Sequence, residues 1–184
     1  MRTPSGNKVY GMGAEFPSAS ALYEAAKRVR DAGFKRWDVH SPFPIHGMDA
    51  AMGLGKSWLS AFVLAGGITG LLTALVLEFG PSWFIYPLVV HGKPVDWRTV
   101  PAFFPIMFEL TVLFSAFTAF FAMLLMNGLP RWYHPVFNWR RFSRATNDGF
   151  FLIIEARDPR FTEVEARELL EQSGGTHVTV IHED

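Results

Sequence analysis

The sequence predicts an α+β membrane protein in which a two-helix transmembrane hairpin interrupts a small soluble domain. The first observation is a run of 21 residues, 57–77, without a charged side chain. The second is the segment 100–128, whose only charged residue is Glu109. About 20 apolar residues let a helix cross the hydrocarbon core, and only helix formation satisfies their backbone there. The third observation is a strand–helix–strand pattern on each side of these two runs.

The residues before the first apolar run are typical of a strand, a helix and a second strand. Residues 9–16 are short and apolar, as in a buried strand. Ser18 is a candidate N-cap of a helix that ends at Gly33, and residues 34–40 alternate as a strand does. The apolar residues at helical spacing between them are Leu22, Ala25, Ala26 and Val29.

The same order returns after the second apolar run. Residues 150–156 are strongly apolar and predict a strand. Thr162 caps a helix that reaches Ser173, and Glu165, three residues after the cap, completes a capping box. Residues 177–181 alternate as a last strand.

Two βαβ units in sequence make the pattern of a ferredoxin-like domain. We therefore interpret residues 1–47 and 149–184 as the two βαβ halves of one cytoplasmic domain, with the hairpin inserted between strands two and three. Two independent βαβ pieces are the alternative, but each alone would bury little apolar surface. The intervening assignments are a segment leading into the membrane (48–56), transmembrane helix 1 (57–79), an outer loop (80–99), transmembrane helix 2 (100–128) and an interfacial connection (129–148).

The distribution of basic residues predicts the orientation. Eight Lys and Arg residues precede the first span, two lie between the spans and seven follow the second. The positive-inside rule places both termini in the cytoplasm and the loop outside. In the interfacial connection, Trp132, Tyr133, Trp139 and four arginines suit the headgroup layer, where aromatic rings settle and Arg meets lipid phosphate.

The composition argues against several kinds of site. With no cysteine, the chain cannot supply disulfides, iron–sulfur ligands, thiolate zinc sites or a c-type haem attachment. No histidine falls inside a span to ligate a buried b-type haem, and a metal site would need adjacent strands to bring His40 near His177 or His182. Basic and acidic residues number 17 each, which gives no indication of a nucleic-acid partner. We predict no catalytic, cofactor-binding or metal-ligating residue in this chain.

Glu109 is the residue whose chemistry stands out. A carboxylate at the centre of a span costs about 2.5–3.5 kcal/mol on insertion scales, so it should be neutral, hydrogen-bonded or paired. One interpretation is a proton relay or an acid near a quinone. The other is a structural acid that hydrogen-bonds a neighbouring helix, for example at Thr69 or Thr73. Glu78 is a weaker candidate of the same kind, because it lies at the outer boundary of the first span, where it can reach water.

Small residues recur at four-residue spacing in both spans. Such residues let helix backbones approach closely, which predicts that both helices pack against other helices. They are Gly66, Gly70 and Ala74 in the first span, and Ser115 and Ala119 in the second.

Three segments, in this order around the hairpin, resemble the ActD family, the small membrane subunit of bacterial alternative complex III. They are SPFPIHGMD (41–49), LPRWYHPVF (129–137) and FFLIIEARDPRF (150–161). The resemblance implies membership of a quinol:electron-acceptor oxidoreductase of the respiratory chain, in the bacterial inner membrane. It further implies that haem c and iron–sulfur clusters belong to partner subunits, and that the quinol site belongs to a large polytopic subunit.

We therefore expect a non-catalytic, multi-pass membrane subunit that scaffolds larger subunits and contributes to a proton path. Its partners would be polytopic quinol-binding subunits, other subunits of the complex and membrane lipids. The alternative is a ligand- or metal-sensing membrane regulator, because ferredoxin-like domains also bind small effectors. A small transporter is a third class, but two helices cannot enclose a path without extensive oligomerisation.

Overall fold

The computed structural model describes residues 8–87 and 89–183, which form two compact units. The sheet unit takes in the described residues up to Gly55 and those from Trp132 onward, and the hairpin unit is Lys56–Arg131. The helices are α1 (Ala19–Asp31), α2 (Met48–Met52), α3 (Leu59–Gly80), α4 (Val100–Met126) and α5 (Glu163–Gln172). The strands are β1 (Val9–Phe16), β2 (Trp37–His40), β3 (Val89–Val90), β4 (Lys93–Pro94), β5 (Phe150–Glu155) and β6 (Thr176–His182).

The sheet unit contains a four-stranded sheet in the order β2-β5-β1-β6, in which every neighbouring pair is antiparallel. Strand β5, which follows the hairpin in sequence, lies between β1 and β2, which precede it. Strands from both sides of the hairpin therefore share one sheet, and the alternative of two independent βαβ pieces is wrong.

Both crossover helices pack on one face of this sheet. Ser18 caps α1 by accepting a hydrogen bond from the backbone N–H of Ala21, and Thr162 caps α5 by accepting one from Glu165, as the sequence predicts. The core on this face combines strand residues with the buried stripes of the two helices. Its members include Met12, Ala14, Phe16, Leu152 and Ile154 from the strands and Leu22, Ala25, Ala26, Val29, Ala166 and Leu170 from the helices.

The opposite face of the sheet is covered by the 3-10 turns Pro135–Asn138 and Arg140–Thr146. Trp139, predicted from the sequence to lie in the headgroup layer, is only 7% exposed and lies edge-on to Phe151, with ring centroids 5.1 Å apart. A Cβ at Gly13 of β1 would lie 2.6 Å from the Trp139 ring, so this glycine makes room for the indole. The headgroup assignment of Trp139 is therefore wrong, because the ring completes a second core, whereas Trp132 is 95% exposed.

Strand β2 begins at Trp37, three residues later than the alternation predicts. The backbone N–H groups of Lys35 and Arg36 donate to the Asp158 carboxylate at 2.6 and 2.7 Å, and so do not pair with a neighbouring strand. Asp158 thus binds the two N–H groups just before β2, while the Arg36 carbonyl oxygen already accepts a hydrogen bond from Glu155 of β5 at 2.9 Å.

The hairpin unit consists of α3, α4 and the connection between them. At 1.5 Å per residue, the helices are about 33 Å and 40 Å long, enough to cross a hydrocarbon core about 30 Å thick. Two candidate spans, Leu59–Ile85 and Trp97–Met126, are long and apolar enough to cross a membrane. Strands β3 and β4 pair around a turn at His91 and Gly92, both of which have positive φ.

Candidate functional site

The small residues of α3 lie against α4. A Cβ at Gly67 would lie 2.7 Å from Oγ of Ser115, a Cβ at Gly66 would collide with Thr118, and one at Gly70 would collide with the carbonyl oxygen of Leu110. Ala74, four residues further, is completely buried, and Ala119 is half-buried. The stripe identified in the sequence thus permits close backbone approach within the hairpin itself.

Glu109 lies on the other side of α4. Its side chain is exposed, on an open apolar surface formed by one face of the helix. The residues of this surface follow helical spacing: Pro105, Phe108, Glu109, Val112, Leu113 and Ala116. Residues that face α3, including Met107 and Thr111, lie on the opposite side of the helix from Glu109.

The hydroxyl groups of Thr69 and Thr73, which the sequence suggests as partners of Glu109, form hydrogen bonds with other groups. Thr69 donates to the carbonyl oxygen of Ala65 at 2.9 Å, and Thr73 donates to that of Thr69 at 2.8 Å. Within the described part of the chain, no group forms a hydrogen bond or ion pair with the Glu109 carboxylate. The predicted bond to Thr69 or Thr73 is therefore not formed.

Glu78 occupies the opposite environment. It lies four residues after Ala74, on the α3 face that packs against α4, and is only 8% exposed. Neither carboxylate oxygen has a hydrogen-bond partner among the described residues. The expectation that Glu78 reaches water is wrong, because this face of α3 is covered by the hairpin contact.

A polar cluster on the second face of the sheet was not predicted from the sequence. The Val136 backbone N–H donates to Nδ1 of His134, so the Nε2–H of His134 donates to the Tyr10 hydroxyl, which donates to Glu155. The two Tyr10 contacts are each 3.2 Å long. Together with His40 and Asp38, these residues line a cavity of about 50 Å³. The cavity has room for a water molecule.

His40 closes one side of that cavity, with its ring edge-on to Phe142 at 4.9 Å between centroids. Burial lowers the pKa of His40, against the opposing charge of Asp38, so the imidazole is neutral at pH 7. His40 does not approach His177 or His182, because β2 and β6 are opposite edges of the sheet. In the described ranges, no three His, Asp or Glu side chains are grouped so that they could hold a metal ion.

A second polar group fastens the connection after the hairpin to the sheet. The buried Glu15 of β1 accepts hydrogen bonds from Nε of Arg141 at 2.8 Å and from a terminal nitrogen of Arg144 at 2.7 Å. Arg144 also forms a bidentate pair with Asp148, which raises the pKa of Arg144 and lowers that of Asp148. Two of the four arginines assigned to lipid phosphate are thus paired within the protein.

Sequence reasoning missed these clusters because their members are far apart in the chain. Tyr10 and His134 are separated by 124 residues, and Glu15 and Arg144 by 129. The one available signal was that His134 and the arginines occur in or near the segment that carries the family resemblance.

Comparison with known proteins identifies the family. A search among curated proteins finds no match to this chain. The family model described as alternative complex III, ActD subunit, matches residues 10–180, which include all four strands of the sheet unit almost completely and both long helices. This chain therefore belongs to the ActD family of alternative complex III subunits.

Proposed function

We propose that this chain is a non-catalytic membrane subunit that scaffolds the larger, quinol-binding membrane subunits of an alternative complex III. The observation that carries the proposal is the outer surface of the hairpin, considered with the family membership. The small residues lie in the contact between α3 and α4, while large apolar side chains point away from that contact. Such a surface suits lipid and partner helices. Its exposed members include Phe62, Leu64, Ile68, Leu72, Phe104, Phe117 and Phe120.

The redox centres would lie in the other subunits. We expect haem c and iron–sulfur clusters there, together with the quinol site, and the cysteine-free sequence supports this assignment. The sheet unit would be a ferredoxin-like domain in the cytoplasm. Its support is the strand order β2-β5-β1-β6 with both crossover helices on one face.

Native isolation tests the scaffold role. We expect a tagged chain, extracted from its own membrane in mild detergent, to migrate with haem-containing subunits. Migration as a free monomer or homodimer would contradict the proposal and favour the regulator that senses a ligand or metal. In that case the cavity beside Tyr10 and His40 would be the first place to look for the effector.

A contribution to a proton path is the second part of the proposal, with Glu78 and Glu109 as its candidate acids. Glu78 is supported by its burial without a partner among the described residues, and Glu109 by its position within the second span. A carboxyl group in such a place is more often functional than one at the surface. Their roles are distinguished by substitution, because glutamine keeps the size and polarity of glutamate but cannot release a proton.

The complex carrying Glu78→Gln or Glu109→Gln is reconstituted in liposomes, and quinol turnover and proton release are measured with a pH-sensitive dye. We expect coupled proton release to fall by about tenfold or more when a relay acid is replaced, while assembly persists. Normal turnover with normal proton release in a variant would exclude a relay role for that residue and leave it a structural acid.

A further inference from the structure

We infer that the exposed face of α4 around Glu109 is the docking surface for a transmembrane helix of another subunit, which presents a hydrogen-bond donor to the Glu109 carboxylate. This Glu109 face consists of six residues on one side of α4: Pro105, Phe108, Glu109, Val112, Leu113 and Ala116. The inference rests on the proposed function, because it requires a partner within the complex.

The hairpin cannot supply the partner of Glu109. Residues of α4 that contact α3, such as Met107 and Thr111, lie on the other side of the helix. The α3 donors that the sequence suggests for Glu109, Thr69 and Thr73, already donate to carbonyl groups of their own helix. Any donor that reaches Glu109 therefore comes from outside the hairpin.

Lipid does not supply the partner either. Glu109 lies nine residues into α4, about 13 Å from its first residue, at a depth where acyl chains surround an exposed side chain. Acyl chains offer no hydrogen-bond donor, and water is excluded there. A carboxylate on a lipid-facing surface is thus unfavourable, and a polar side chain from a neighbouring helix removes that cost.

The length and composition of the Glu109 face suit a partner helix. The face extends over residues 105–116, about 17 Å of helix axis, and Ala116 at one end allows close approach. Exposed Phe108 and Val112 flank Glu109 and provide apolar contact on either side of the polar pair. Intramembrane recognition of this kind combines a packed apolar stripe with one interhelical hydrogen bond.

A second copy of this chain fits less well. A symmetric dimer through this face would bring two Glu109 carboxyl groups together, and they could pair only if at least one of them held a proton. A different chain that carries a donor needs no such protonation and is therefore favoured.

Site-specific crosslinking tests the inference, because the natural chain contains no cysteine. Val112→Cys places a single thiol on the Glu109 face, and the control Val76→Cys places one on the 68% exposed Val76 of α3. Each tagged variant is assembled in its own membrane and treated with a thiol-reactive photocrosslinker. Crosslinked partners are then identified in the purified complex.

We expect Val112→Cys to crosslink to a transmembrane segment of one other subunit. Adding Glu109→Leu should lower that yield about threefold to tenfold, the range of one interhelical hydrogen bond, whereas Glu109→Gln should largely preserve it. Crosslinking of the Val76→Cys control should be the same with and without the Glu109→Leu substitution.

Three results would overturn the inference. They are crosslinks from Val112→Cys to lipid only, crosslinks to a second copy of this chain only, and a yield that does not change with Glu109→Leu. If haem-containing subunits still migrate with the chain, such a result leaves the scaffold proposal standing. If no other subunit migrates with the chain, both proposals fail.

Discussion

Buried carboxylates organise the sheet unit at the level of single residues. Asp158 is 5% exposed and accepts hydrogen bonds from three backbone N–H groups, those of Lys35, Arg36 and Arg160. Burial by itself would raise the pKa of Asp158, but these three donors and the charge of Arg160 outweigh it and lower the pKa below its usual 3.8. The ionised form is therefore the one that the fold stabilises.

This pKa shift predicts a pH-dependent contribution to stability. A carboxyl group with a lowered pKa in the folded state stabilises the protein above the unfolded-state value of 3.8, and the contribution is lost as pH falls through the folded-state pKa. Asp158→Asn should lower the free energy of unfolding of the sheet unit by about 1–3 kcal/mol at pH 7, because it weakens a set of buried hydrogen bonds. The difference in free energy of unfolding between this variant and the natural chain should become smaller below about pH 4.

Urea unfolding in detergent, followed by circular dichroism at several pH values, measures this effect. Asp148→Asn is a suitable control, because its lowered pKa comes from an exposed pair with Arg144. We expect the control to change stability little at any pH. An equal loss of stability in both variants would show that the burial of Asp158 does not cause the effect.

Gly13 leads to a second prediction at this scale. Gly13→Ala should destabilise the sheet unit by about 1–3 kcal/mol, because the new methyl group would collide with the Trp139 ring. Trp139→Leu in the same chain should recover part of that loss, since a smaller side chain vacates the space beside Cβ. Urea unfolding of the single and double variants gives the coupling energy, and strict additivity would contradict the contact.

At the level of elements, the contact between α3 and α4 depends on glycine. Gly70→Ala should separate the helices, because its Cβ would collide with the Leu110 carbonyl oxygen, and backbone moves less easily than a side chain. We expect a loss of about 1–3 kcal/mol in the stability of the hairpin, measured by titration of the purified chain from mild detergent into dodecyl sulfate.

The matched control is Gly80→Ala. It lies at the end of the same helix, and a Cβ there would meet no atom within 4 Å. It should unfold at the same dodecyl sulfate fraction as the natural chain or at a slightly higher one, because alanine favours a helix more than glycine does. A comparable loss of stability in both variants would show that close packing at Gly70 is not the cause.

At the level of the whole molecule, the orientation of the chain in the membrane is a direct prediction of the basic-residue distribution. Lys93→Cys should react with a membrane-impermeant maleimide in intact cells, because Lys93 is exposed and lies in the loop that the positive-inside rule places outside. Glu171→Cys, on the exposed side of α5, should react only after the membrane is opened. The reverse pattern would place both termini outside.

The sequence by itself determined the two long apolar helices, the two strand–helix–strand patterns, the helix caps and the family. Each of these is encoded by neighbouring residues: apolar runs, alternation, cap residues and local motifs. Runs such as residues 57–77 require no knowledge of the rest of the chain, because lipid imposes the helix wherever the run is long enough.

Only the tertiary structure decided which face each polar or aromatic residue occupies. Trp139, Glu78 and Glu109 all lie in sequence contexts typical of a membrane segment or its boundary, yet one is in a core, one is buried in the hairpin and one is exposed. These outcomes depend on residues far away in sequence. The position of Trp139 depends on the space beside Gly13, and the burial of Glu78 and the exposure of Glu109 depend on which face of α4 contacts α3. Packing between distant segments is set by shape and volume, which a local pattern does not encode.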